Sequence, residues 1–250
     1  MGSRIIRALL LFALAMAGVA TAIINAEIPQ EILDQTGLSR QTLLIVSFAN
    51  NAVLVGIAVL VGALLAHRLG FVSLIAHRVE DASKRLSAFP IYIALGLALG
   101  VGVAFADSWA FANIAALKDF TATNMAQMES SAPTLLMRFL YGGITEEVLL
   151  RWGVLSLFAW LIWLVIRKQG AAVTLAIIIA AVLFGVGHLP ALFSSFEQIP
   201  TIMIVRVIVL NATLGIAYGA AYARNSLEAG MVAHAATHAG MLFSAQFMGL

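Results

Sequence analysis

Three short stretches of an otherwise apolar chain carry the side chains that could do chemistry. The first is Tyr141-Gly-Gly-Ile-Thr-Glu146-Glu147-Val-Leu-Leu-Arg151. At about 100° per residue, Glu147 and Arg151 share a helix face one turn apart and can form an i, i+4 ion pair. Glu146 lies about 140° from Arg151 and is not its natural partner. A staple between helices needs only two charges. The third leaves one carboxylate free for other work.

The second stretch is Phe184-Gly-Val-Gly-His188-Leu-Pro190, in which a histidine ends a helix. Gly185 and Gly187 let another helix approach closely. The third is His234-Ala-Ala-Thr-His238. Its imidazoles are i, i+4, so both face one way, a spacing that suits a metal. A soluble zinc protease would carry Glu after the first histidine, where this chain has Ala235. The competing reading is polar glue between helices. Ala229, Gly230, Ala233, Ala235, Ala236, Ala239 and Gly240 mark that helix for close packing.

The surroundings of these stretches fix their solvent. Of 250 residues, 62% are hydrophobic and 10% charged, against roughly half and a quarter in soluble domains. The chain therefore reads as all-α, a polytopic transmembrane helix bundle of about seven spans, six to eight. The spans fall near residues 5–24, 43–66, 90–111, 133–166, 171–188, 201–223 and 227–248, with 112–133 a loop or interfacial helix. The fourth exceeds 30 residues, so it must tilt, kink or project. Ala20-Thr21-Ala22 has the form of a cleavage site, but the run from Ile5 to Ile24 is long for a signal core and reads as a retained span. Two parts follow: spans and loops over 1–134, and a functional core over 135–250.

An ionisable group within a span costs about 2.5–3.5 kcal/mol. The first three spans are nearly free of charge, so the later ones hold the chemistry. Asn211 reads as an interhelical hydrogen bond and Arg206 as a weaker candidate, while His67 and His77 read as solvated loop residues. A net charge of +2 without a basic, aromatic-rich patch excludes nucleic-acid binding. The absence of cysteine excludes thiolate catalysis and disulfides. Nothing suggests the repeated halves of a transporter. Basic residues put the N-terminus inside and the C-terminus outside. That arrangement sets Glu146 and His188 toward the outer side and His234 nearer the inner, a mismatch for residues of one site.

In order, Glu146-Glu147-Val-Leu-Leu-Arg151, Phe184-Gly-Val-Gly-His188 and His234-Ala-Ala-Thr-His238 resemble the CAAX-protease and bacteriocin-processing family (CPBP, or Abi) of intramembrane proteases. The likeness covers about residues 135–245. It implies peptide-bond hydrolysis within the membrane, on a C-terminal or leader peptide or a membrane protein. Glu146 would be the general base, with His188 helping to activate the water. His234 and His238 would stabilise the oxyanion, and Glu147 and Arg151 would order the site. His238 stands where the family more often has Asn. Because histidine can also ligate, Glu146, His188, His234 and His238 could hold a divalent metal such as zinc. The implied setting is a multi-pass protein of a bacterial plasma membrane. The departure at His238 also admits a non-catalytic scaffold or immunity-type partner of another membrane protein.

Overall fold

The computed structural model describes residues 2–24, 26, 28, 30–77, 79–130 and 134–248. Pro133, the expected start of the fourth span, lies outside the described residues. All regular structure among those described is helical: α1 (Gly2–Ile24), α2 (Gln30–Thr36), α3 (Arg40–Leu65), α4 (Ala82–Leu86), α5 (Phe89–Asn113), α6 (Ala115–Ser130), α7 (Ser156–Ile166), α8 (Gln169–Gly187), α9 (Leu189–Ser195), α10 (Thr201–Arg224) and α11 (Leu227–Met248). Two π-helical stretches, Met137–Glu146 and Val148–Leu155, run directly into α7. Six of the described helical segments are long and apolar enough to cross a membrane. The seventh long helix, α11, has no exposed residue from Leu227 to Met241. The chain is an integral membrane protein of the expected class.

The π-helical segment replaces the uniform α-helix assumed for the fourth span. Its i→i+5 pattern is echoed by Ser156 Oγ, which donates to Arg151 O at 3.3 Å. Such widened turns concentrate at functional sites. Around this segment the bundle closes through small residues, because lipid supplies no hydrophobic drive between helices and close backbone approach must do so. Gly18 of α1 lies against Leu140 O and Thr145, whose hydroxyl donates to Ala15 O at 2.6 Å. Gly62 of α3 faces the Trp152 indole, whose Nε1 donates to Val59 O at 3.3 Å. The early spans thus form one wall of the functional core.

Opposite that wall, α5 and α11 meet at a pair of glycines four residues apart. A methyl at Gly96 would overlap Ala233 O, and one at Gly100 would overlap Thr237 O. The backbone carrying His234 and His238 is therefore held directly by α5. Gly100→Ala is expected to push α11 away, lowering stability by about 1–3 kcal/mol. Gly102→Ala on the same helix meets nothing within 4 Å and should leave thermal unfolding in detergent unchanged or raise its midpoint slightly.

Three assignments change. The third span does carry a charge: Asp107 forms a bidentate ion pair with Arg206, through Nε at 2.8 Å and through Nη2. Arg206 is thereby committed away from the His–Glu cluster. Asn211 donates within its own helix, to Val207 O at 2.9 Å, rather than between helices. His77 is half-buried against the Trp152 ring, 5.3 Å between centroids. Burial first, then the nearby His67, holds its imidazole below the ordinary range.

Candidate active site

The polar residues converge because α11 starts inside the molecule. The turn at 224–228 reads in sequence as a membrane boundary, yet Asn225, Ser226, Leu227 and Glu228 are buried beneath the 70–77 loop. Glu228 fastens that loop, accepting from Ser73 Oγ at 2.6 Å, Leu74 N at 2.9 Å and Ile75 N at 3.1 Å. Leu227 N donates to Val72 O at 2.9 Å. His234 lies about 10 Å up α11 from this raised start, and His188 about 28 Å up α8 from Gln169. The two nevertheless reach the same carboxylate, which removes the mismatch in depth.

Glu228→Ala would strand one hydroxyl and two amides. Bonds to a charged acceptor contribute roughly 1.5–3 kcal/mol each. Because the two amides are only part-buried and can turn to water, the expected net loss is about 2–3 kcal/mol, with faster amide exchange confined to residues 72–77.

Glu146 lies between two imidazoles. His188 Nε2 is 4.0 Å from Oε1, and His234 Nε2 is 3.9 Å from Oε2. These gaps are too long for direct hydrogen bonds and of the size a bridging water spans. The far side of each ring is anchored. His188 Nδ1 is 2.7 Å from Phe184 O, and His234 Nδ1 is 2.9 Å from Glu147 Oε1. A carbonyl and a carboxylate can only accept, so each neutral ring carries its proton on Nδ1. Both Nε2 atoms therefore present lone pairs to the space beside Glu146.

Glu147 is the hub of the anchoring. Fully buried, it pairs with Arg151 Nε at 3.3 Å while accepting from His234. Arg151 is itself clamped: Nη2 donates to Gly215 O at 3.3 Å, and the guanidinium lies 4.6 Å over the Phe184 ring and 5.3 Å over that of Tyr218. Gly230 is bare because a Cβ there would come within 2.9 Å of Glu147 Oε2.

His238 is placed differently. Its ring stacks on His234 at 5.0 Å and 26°. Nδ1 is buried with no hydrogen bond, and Nε2 is directed at Gly142. Tyr218 stacks on the other side of His234 at 4.4 Å and 17°. Sequence gave no warning of Tyr218, because an aromatic in an apolar helix has no distinguishing spacing. Glu228 could have been noticed, since it is a carboxylate at the head of an apolar helix.

A resident divalent ion would need three donors turned to one point. Among the described residues no three His, Asp or Glu side chains are so arranged. His188 and His234 approach different oxygens of Glu146, and His238 points elsewhere. The donor set does not fit such an ion, and no step below runs through one.

Residues 128–240 match the family described as type II CAAX prenyl endopeptidase Rce1-like. No curated protein and no solved structure matches the chain.

Proposed function

We propose, on the premise that residues 128–240 form an Rce1-like type II CAAX prenyl endopeptidase domain of the CPBP (Abi) family, that the site hydrolyses peptide bonds with Glu146 as general base. Kinship with the CAAX-type proteases sets the reaction class. The observation that supports this assignment of roles is the placement of Glu146 between two imidazole nitrogens at 3.9 and 4.0 Å.

A water in that gap donates one proton to Glu146 and the other to an Nε2 lone pair. One of the two lone pairs on its oxygen faces the substrate carbonyl. As the oxygen–carbon bond forms, Glu146 takes the proton. As the carbon–nitrogen bond breaks, Glu146 returns it to the leaving amine. His188 orients the water through a ring fixed by Phe184 O. The hydrogen bonding divides the two histidines of α11. His234, with its proton committed to Glu147, offers the water an Nε2 lone pair as the alternative to that of His188, while His238 can carry its proton on Nε2 and donate to the oxyanion. Glu147 and Arg151 touch neither water nor substrate and act by positioning His234.

The substrate is a peptide or membrane-protein segment presented at the bilayer, with a bacterial plasma membrane as the setting. The test is the purified protein in detergent, offered a peptide with a farnesylated cysteine three residues from its C-terminus and an unprenylated leader-like peptide, with products read by mass spectrometry. One new terminus, lost in Glu146→Gln and retained with a chelator, is expected. No cleavage of any peptide by folded protein would favour a scaffold that binds another membrane protein.

A further inference from the structure

We infer that the site opens on the non-cytoplasmic side of the membrane, so that the peptide bonds it cuts belong to chains already carried across. The inference rests on the hydrolytic reading above and deepens it by naming the side and the supply of the substrate.

The two ends of the bundle differ in charge. Arg4 and Arg7 open α1, Arg68 follows α3, and Lys84 and Arg85 precede α5. Arg167 and Lys168 separate α7 from α8, and Arg224 closes α10. Contacts between distant segments bind these helix ends into one face. Arg7 Nη1 donates to Ile75 O at 3.2 Å and to His77 O at 2.9 Å. Gln169 Nε2 donates to Leu69 O at 2.9 Å, and Asn225 Nδ2 to Arg85 O at 3.2 Å. At the opposite end, among the described residues, Arg40, Lys118 and Arg138 stand against Glu31, Asp34, Asp119 and Glu197. Loops that stay in the cytoplasm carry the excess of Lys and Arg, so the first face is the cytoplasmic one.

The His–Glu cluster stands at the other end. His188 follows the last residue of α8, about 28 Å from Gln169, nearly the whole depth of a hydrocarbon core of about 30 Å. Glu146 lies 4.0 Å from it. A cavity of about 680 Å³ runs from this cluster toward the same end. Its inner wall is Leu214 and Met241, which pack with Phe184 and Tyr218, the two rings against His234. Its outer wall is Thr121 of α6 and Arg206, near the start of α10. Toward the basic face the bundle is closed. Trp152, Tyr222 and Leu227 are fully buried there, and Ser226 and Glu228 are buried beneath the 70–77 loop.

A peptide therefore meets the site after a translocation step, as an exported leader or tail or as the outward segment of a membrane protein. A lipid-anchored C-terminus made and kept in the cytoplasm approaches the closed face.

The chain has no cysteine, so single cysteines report sidedness without background. Ser83→Cys lies on the basic face and Gln198→Cys beyond α9 on the face of the site, both at exposed positions. Spheroplasts producing each full-length variant are treated with a membrane-impermeant maleimide before and after lysis. Gln198→Cys should label in intact spheroplasts and Ser83→Cys only after lysis. A quenched, membrane-impermeant leader-like peptide added outside should be cut by intact spheroplasts of the parent and not by those of Glu146→Gln. Sealed inside-out vesicles should cut it only once detergent is added. The reverse labelling, labelling of both positions in intact spheroplasts, or cleavage by sealed inside-out vesicles overturns the inference while leaving Glu146 as base. A folded parent that cuts nothing in detergent overturns the hydrolytic reading instead, and the labelling still reports which side the cluster faces.

Discussion

Glu146→Gln is expected to lower turnover about 10³-fold, within the 10²–10⁴ range for loss of a positioned general base. The substitution keeps the shape and the hydrogen-bonding reach of the side chain and removes only its capacity to take a proton. Stability should be unchanged or higher. The Glu146 side chain is 17% exposed and makes no direct hydrogen bond to either histidine. A neutral amide at this depth also avoids the insertion penalty of a charge. The prediction is thus an inactive protein with the parent's melting temperature. A variant that is both inactive and unstable would instead point to a structural carboxylate.

Arg151→Leu should do the reverse, destabilising before it inactivates. Arg151 and Glu147 are 1% and 0% exposed, so removing the guanidinium leaves a carboxylate buried and unpaired. Breaking such a pair costs about 3–5 kcal/mol. The vacancy would also remove the cation from between Phe184 and Tyr218 and free Gly215 O. In Glu147→Leu/Arg151→Leu no charge is left behind, and most of the lost stability should return. Activity should not, because His234 then lacks the carboxylate that fixes its tautomer. Thermal unfolding in detergent and peptide cleavage, measured on all three proteins, separate the two roles. Recovery of activity in the double variant would show that Glu147 does not act through His234.

The legible part of the site was the part that rests on local geometry. An i, i+4 carboxylate and guanidinium pair in an α-helix, and they still pair across the π-helical turns, Nε to Oε2 at 3.3 Å. That left Glu146 over, and the structure brings it to His188 and His234. The fold class was equally legible, because a chain so apolar has few ways to satisfy its backbone in lipid.

What stayed hidden depends on contacts between distant segments. The raised start of α11 depends on Glu228 meeting Ser73, 155 residues away, so the depth of His234 could not be counted from the end of its span. Tyr218 and Gly142 matter only because His234 and His238 lie against them. Asp107 passed unnoticed in an apolar helix because its partner Arg206 is 99 residues on. The different roles proposed for His234 and His238 rest on Glu147 meeting Nδ1 of one while nothing meets that of the other.

The central claim is a water held by Glu146 and by the Nε2 lone pair of His188 or His234. An experimental structure of the parent protein at a resolution that shows single waters tests it most directly. The account predicts one oxygen within about 2.6–3.2 Å of a Glu146 carboxylate oxygen and of at least one Nε2. A carboxylate bonded directly to either imidazole would contradict it, as would an ion ligated at about 2.0–2.1 Å by the same nitrogens.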